Sequence, residues 1–61
     1  MKMFEPGMIV SYKGKEGQVR FVDPGGYITV CLKNKEDGMI SDVCLVVYPW
    51  DWENVEYLRH S

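Results

Sequence analysis

Residues 43–58, VCLVVYPWDWENVEYL, decide the fold that the sequence predicts. From Val43 to Val47 every second residue is aliphatic, which is the period-two pattern of a strand with one face in the core. Pro49 has no backbone N–H and is expected to end that strand. A polar turn follows, and Val55 and Leu58 then return the chain to the core in a short closing strand. A last strand reached through one turn of 3₁₀ helix is typical of small β-barrels.

The length and composition predict one small globular domain. The chain has 61 residues, and we take residues 1–61 as a single domain. Apolar residues make up 46% and charged residues 26% of the chain, which argues against disorder. No apolar run approaches the ~20 residues of a membrane span. The start, MKMFEPG, lacks the apolar region of a signal peptide, so an intracellular protein is expected.

Alternating residues also predict three earlier strands, over residues 8–12, 18–23 and 27–33. The side chains expected to face the core in the second and third strands are Val19, Phe21, Ile28, Val30 and Leu32, whereas Thr29 and Cys31 should face outward. Polar, glycine-containing or proline-containing segments join the strands at residues 13–17, 23–26 and 34–42, and residues 59–61 should form a frayed tail. The prediction is an all-β, strongly bent five-stranded sheet closed into a barrel, which would leave no exposed edge.

The fourth strand, residues 43–48, is apolar on both faces. Cys44, Val46 and Tyr48 lie on the side that faces away from the core, so something else is expected to cover them. One possibility is the N-terminal arm, through Met3 and Phe4. The other is a second subunit or a protein partner, which the nearby tryptophans favour because tryptophan is enriched at interface hot spots. The candidate interface residues are Cys44, Val46, Tyr48, Trp50, Trp52 and Tyr57.

Charge is distributed unevenly along the chain. Residues 1–35 carry six Lys or Arg against three Asp or Glu, a balance of +3, and residues 36–61 carry one against six, a balance of −5. Such asymmetry indicates a nucleic-acid surface or two complementary patches, while scattered solvated charge is the plainer alternative. Basic and aromatic side chains together can bind single-stranded nucleic acid. The candidates for this role are Tyr12, Lys13, Lys15, Arg20, Tyr27 and Lys33.

No motif points to catalysis, a metal or a cofactor. The spacing of Cys31 and Cys44 matches no metal-binding pattern, and one isolated histidine cannot complete a tetrahedral site. In an intracellular protein the two cysteines are expected to be free thiols that serve as small apolar residues, with a disulfide between adjacent strands as the alternative. Asp51 and Glu53 are neighbouring carboxylates without a partner for acid–base chemistry. No nucleophile set and no phosphate-binding glycine loop appears, so the protein is not expected to be an enzyme.

Three segments resemble small barrel families. Residues 7–22, GMIVSYKGKEGQVRFV, are similar to the opening of KOW-type and related SH3-like domains, with a strand, a Gly-x-x-Gly-x-Val hairpin and an answering strand. Residues 13–32, KGKEGQVRFVDPGGYITVCL, resemble the first motif of Sm-like proteins, and residues 53–58, ENVEYL, resemble the close of their second motif. The opening and the Tyr-Pro-aromatic close are also similar to the short Sm-like proteins of cyanophages.

The resemblance implies an SH3-like or Sm-like barrel that forms homo-oligomeric rings, with strand four of one subunit beside strand five of the next. It also implies RNA binding, and Asp23 and Tyr27 match the acidic and aromatic positions of the first motif. Thr29 stands where the family has Asn. Asp51 and Trp52 occupy the positions of an Arg-Gly pair that helps to hold uracil, and an acid there would repel phosphate.

These patterns together predict a non-catalytic binding or assembly module. The module would self-associate or dock a protein partner, in the cytoplasm of a bacterial or phage-infected host cell. Binding of single-stranded RNA or DNA is the alternative. No cofactor, membrane or small-molecule substrate is expected.

Overall fold

A computed structural model describes residues 3–60 as an all-β protein. The strands are β1 (Met8–Tyr12), β2 (Lys15–Val22), β3 (Ile28–Lys33), β4 (Ile40–Val47) and β5 (Val55–His60), with a 3₁₀ helix at Pro49–Asn54 before β5. The predicted five strands and the 3₁₀ turn are confirmed. Pro49 lies in the first turn of the 3₁₀ helix, where its missing N–H costs no hydrogen bond.

The strands form one antiparallel sheet in the order β4-β3-β2-β1-β5. The chain runs through β1 to β4 as successive neighbours, and the 3₁₀ helix then carries it back so that β5 pairs with β1. Over residues 3–60, β4 and β5 do not pair with each other, so the sheet stays open. The expectation that barrel closure removes all edges is therefore wrong, because β4 and β5 each keep one unpaired edge.

One face of the sheet packs into a core made largely of β-branched side chains. Burying each such side chain contributes roughly 1.5–3 kcal/mol, which is the main stabilisation available to so short a chain. The buried cluster consists of Phe4, Val10, Tyr12, Val19, Ile28, Val30, Val47 and Val55. The predicted inward positions Val19, Ile28, Val30, Val47 and Val55 are confirmed.

Two β-bulges interrupt the sheet, and the one in β2 reverses a predicted side-chain direction. In β2, the register passes from Val19 opposite Val30 to Phe21 opposite Thr29, so Arg20 is an extra residue. Because side chains alternate along a strand, one extra residue moves the next side chain to the other face. Phe21, expected in the core, is therefore 48% exposed. Leu58 in β5, also expected in the core, is 40% exposed. It lies at a second bulge, and its separation of three residues from the buried Val55 already places the two on opposite faces of a strand.

The fourth strand starts earlier than predicted. β4 begins at Ile40, inside the segment predicted as a polar loop, and its pairing with β3 is irregular between the pairs Cys31–Cys44 and Lys33–Ile40. Val43 lies within this irregular part and is 61% exposed, although the alternation predicted that it faces the core. Only the C-terminal part of β4 follows the expected alternation.

The last strand extends further than predicted. Arg59 and His60 belong to β5 and pair with Ile9 and Met8, so they are not a frayed tail. The Arg59 guanidinium also lies 3.0 Å from the Glu16 carboxylate, which links β5 to β2. Ser61, the remaining residue of the predicted tail, lies outside the described residues. Within residues 3–60, no helix has the length and apolar character needed to cross a membrane.

Cys31 and Cys44 form a disulfide. They are direct partners in the ladder between β3 and β4, with Cα atoms 3.8 Å apart. The expectation of free thiols is therefore wrong, and the alternative of a disulfide between adjacent strands is confirmed. Disulfides persist in oxidising compartments and are rare in reducing ones. The cytoplasmic location, from which free thiols were expected, stays a prediction that the disulfide does not favour.

Candidate functional site

Four aromatic side chains form a continuous row on the outer face of the sheet. Phe21 lies 6.0 Å from Tyr27, Tyr27 lies 6.4 Å from Tyr48, and Tyr48 stacks on Trp50 at 4.9 Å, all between ring centroids. The Tyr48 and Trp50 rings are nearly parallel, with an interplanar angle of 6°. We call these four residues the aromatic row. Through these contacts the four side chains form one continuous aromatic surface.

The register of β2, β3 and β4 explains why the row is continuous. Phe21, Thr29 and Val46 are opposite one another on successive strands, so their side chains lie side by side on the outer face. The Cys31–Cys44 disulfide is the next pair along that face. The bulge that exposes Phe21 therefore completes an apolar patch that reaches the free edge of β4.

This patch is open to solvent in the single chain. Trp50 is 76% exposed, and Val46 and Tyr48 are each close to half exposed. The N-terminal arm does not cover them, because Phe4 packs in the core and Met3 is itself exposed. The prediction that Met3 and Phe4 cover β4 is therefore wrong.

The two tryptophans of the predicted interface have different environments. Trp52 is half-buried, packs edge-to-face on Phe4 at 5.2 Å between ring centroids, and donates its indole N–H to the Val47 carbonyl oxygen at 3.1 Å. It stabilises the fold from inside. Trp50 lies on the outer side of the same 3₁₀ helix. Within residues 3–60, its ring contact is the stacking on Tyr48.

The other predicted interface residues also lie in different parts of the structure. Tyr48 stacks on Trp50, Val46 is the preceding residue on the same face of β4, and Cys44 belongs to the disulfide on that face. Tyr57 lies on β5, at the opposite end of the sheet order. There it lines an apolar cleft of about 320 Å³ with Met3, Phe4, Met8 and Val55. The structure therefore places four of the six predicted residues, Cys44, Val46, Tyr48 and Trp50, on one side of the sheet, and places Trp52 and Tyr57 elsewhere.

The 3₁₀ helix that presents Trp50 is anchored by a buried tyrosine. The Tyr12 hydroxyl donates a short hydrogen bond to the Asp51 carboxylate, and the Asn54 amide donates to the same carboxylate at 2.6 Å. The bond from Tyr12, and secondarily the bond from Asn54, lowers the pKa of Asp51. The same contact with Asp51, followed by desolvation, raises the pKa of Tyr12. Asp51 is thus held as an ionised acceptor that fixes the helix.

Lysines of the predicted nucleic-acid set line a groove at the other end of the sheet. The groove has a volume of about 840 Å³ and lies between the β1–β2 hairpin and the segment around the β3–β4 loop. Its basic side chains are Lys13, Lys15, Lys33 and Lys35, and we call it the lysine groove. Lys13 and Gly14 have φ angles of 52° and 78°, as a two-residue type I′ hairpin turn requires. This tight turn replaces the predicted five-residue connection and fixes the two hairpin lysines.

Glu16 is the acidic residue that lines the groove. Lys33 Nζ lies 3.2 Å and Arg59 Nη2 lies 3.0 Å from its carboxylate. The hydrogen bond from Lys33, and then that from Arg59, lowers the pKa of Glu16. The lining contains four lysines and one glutamate, and Arg59 from outside the lining also pairs with that glutamate. The groove therefore keeps a net positive charge.

The rest of the predicted nucleic-acid set does not reach the groove. Tyr12 is buried in the core, so its ring face is not free to stack on a base. Tyr27 belongs to the aromatic row, and Arg20 is exposed at the bulge of β2. Lys35 is not among the predicted candidates. Its position in the predicted loop, two residues after Lys33, could have indicated that the two lysines lie on one surface. Phe21 was missed because nothing in the local sequence indicates the bulge.

No group of three His, Cys, Asp or Glu side chains within residues 3–60 is arranged to hold a metal ion. No family model, curated protein or solved structure matches this chain. The resemblance to Sm-like and KOW-type barrels therefore stays a prediction, and the surfaces described above carry the functional argument.

Proposed function

We propose that the protein is a non-catalytic assembly module that associates with further copies of itself through the aromatic row and the free edge of β4. The observation that carries this proposal is the continuous exposed row Phe21–Tyr27–Tyr48–Trp50 beside Val46. The largest contiguous apolar patch on a protein surface is often functional. Tyrosine and tryptophan are also the residues most often found at interface hot spots.

A second copy is the favoured occupant because the open sheet has two free edges. β4 and β5 lie at opposite ends of the strand order, and each presents unpaired backbone groups. Pairing β4 of one copy with β5 of the next would satisfy backbone groups on both. Contacts of this head-to-tail kind close into a ring when the rotation between copies allows it.

The exposed apolar area suits an interface of ordinary size only if the edges also pair. An aromatic side chain has about 150–250 Å² of surface, so the exposed parts of Phe21, Tyr48 and Trp50 supply on the order of 400 Å². A stable interface buries about 800 Å² on each partner. The aromatic row therefore provides roughly half of the needed area, and the strand edge and Val46 must contribute to the remainder.

Light scattering coupled to size-exclusion chromatography tests this proposal at micromolar to millimolar concentration. We expect a mass above that of one chain for the wild type and a shift toward one chain for Val46→Asp and Trp50→Ala. Met39→Asp is the matched control, since Met39 is 66% exposed in the β3–β4 loop and outside the row. A wild type that stays one chain at every concentration would end the proposal. So would an equal effect of the Met39 control.

A further inference from the structure

We infer that the lysine groove binds the phosphodiester backbone of a single-stranded nucleic acid without recognising its bases. The groove lies at the hairpin end of the sheet and shares no residue with the aromatic row. Its lining does include Ser41 and Val43 of β4, whose free edge the proposed self-association uses, so the test follows solution mass as well as affinity. Four lysines line one concave surface, and one of them, Lys33, is paired with Glu16. Neutralisation of phosphates by lysine supplies most of the affinity in sequence-independent binding of nucleic acids.

Both walls of the groove are held in place by backbone geometry. The type I′ turn at Lys13–Gly14 fixes the hairpin wall. On the other wall, the Asn34 N–H donates to the Met39 carbonyl oxygen at 2.8 Å, and the Gly38 N–H donates to the Asn34 carbonyl oxygen at 2.9 Å. Because the walls are already ordered, binding costs less conformational entropy than it would on a mobile loop.

The chemistry of the lining suits phosphate. Each lysine ammonium is a compact charge with three donors, which can contact phosphate oxygens in several orientations. The charge of Glu16 is shared by Lys33 and Arg59, so it does not cancel the field of the other lysines. Glu36 and Asp37 lie on the loop outside the lining and moderate the attraction, which favours weak, salt-sensitive binding.

The absence of aromatic residues from the lining argues against base recognition. Proteins that stack bases use exposed aromatic rings beside the basic track. Here Leu32 and Val43 are the apolar lining residues, and Tyr12 lies buried below the hairpin. The volume, about 840 Å³, is within the roughly 300–1,000 Å³ of ordinary ligand sites. It admits a short stretch of one strand.

Fluorescence anisotropy with a short fluorescein-labelled oligothymidylate tests the inference. For single strands, log affinity falls with log salt with a slope of about −0.7 per phosphate neutralised. Lys33 is paired with Glu16, and contacts from the other three lysines give a slope of about −2.1, so a tenfold rise in salt weakens binding by a factor of about 130. Lys15→Gln and Lys35→Gln should each reduce the slope to about −1.4 and weaken binding several-fold at low salt.

Arg20→Gln is the matched control, because it removes one positive charge from an exposed site outside the groove. Affinity unchanged in this variant, and equal for oligothymidylate and oligocytidylate, would support backbone binding in the groove. An equal loss for Arg20→Gln and Lys15→Gln would overturn it, as would no binding at low salt. Binding of inorganic tripolyphosphate without binding of either oligonucleotide would also overturn the assignment. A change of solution mass in Lys15→Gln, with oligonucleotide affinity unchanged, would show a contact between copies instead.

Discussion

Reduction of the Cys31–Cys44 disulfide should strongly destabilise the protein. The two cysteines are 13 residues apart, and a cross-link that closes a loop of ~15 residues contributes about 3 kcal/mol by restricting the unfolded chain. Proteins have a free energy of unfolding of about 0.05–0.15 kcal/mol per residue, or roughly 3–9 kcal/mol for this chain. The disulfide thus accounts for a third or more of the expected stability.

Equilibrium unfolding in urea, followed by tryptophan fluorescence, measures this effect. The half-buried Trp52 reports the loss of its contact with Phe4. With an m-value of about 1 kcal/mol/M for a small protein, reductant should lower the urea midpoint by about 2–3 M. The double variant Cys31→Ala, Cys44→Ala should unfold near the reduced midpoint and should not respond to reductant. Two free thiols titrated in the unfolded, unreduced protein would refute the reasoning, as would equal midpoints with and without reductant.

Three further predictions concern single side chains. Trp52→Ala should cost about 3 kcal/mol of unfolding free energy, because this half-buried indole packs against the core and donates a hydrogen bond to Val47. Trp50→Ala, the matched exposed change, should stay within about 0.5 kcal/mol by urea unfolding followed by circular dichroism, at protein concentrations where both proteins are single chains and association adds nothing to stability. Gly17→Ala should cost about 1–3 kcal/mol or more, because a Cβ there would lie 2.7 Å from a backbone carbonyl oxygen of the neighbouring strand; an unchanged urea midpoint would contradict this. The lowered pKa of Asp51 means that its stabilisation is present above the ordinary value of 3.8 and is lost as pH falls further. The raised pKa of Tyr12 means that stability is lost as pH rises beyond 10.0. Asp51→Asn should flatten both limbs of a plot of melting temperature against pH, and two unchanged limbs would contradict the Tyr12–Asp51 bond.

The sequence predicted the strands well where alternation and turn chemistry are local. β1 is found over the predicted residues, and Pro49 marks the change from strand to 3₁₀ helix as its chemistry requires. The bulges at Arg20 and Leu58 could not be predicted, because a bulge is set by the register between two strands. Neither neighbouring sequence contains a residue that demands the extra position.

The candidate surfaces, too, could be predicted only where their residues are close together in the sequence. Val46, Tyr48 and Trp50 were found from the apolar outer side of one strand and the segment after it. The role of Trp52 depends on Phe4, which is far away in sequence, so it appears only in the folded chain. The disulfide likewise depends on a register that sets Cys31 opposite Cys44. The lysine groove combines two loops whose meeting follows from the strand order.

The position of β5 has a consequence for how the protein folds and opens. The pairs that hold β5 to β1 join residues 43 positions apart at Tyr12–Val55 and 52 positions apart at Met8–His60. Only Val55 of this strand is buried. The entropy of closing so long a loop is offset by little burial, so β5 should dock last, and its amides should exchange with solvent water first. A detached β5 leaves β1 free to accept the same strand from another molecule, which makes domain swapping the natural failure of this fold.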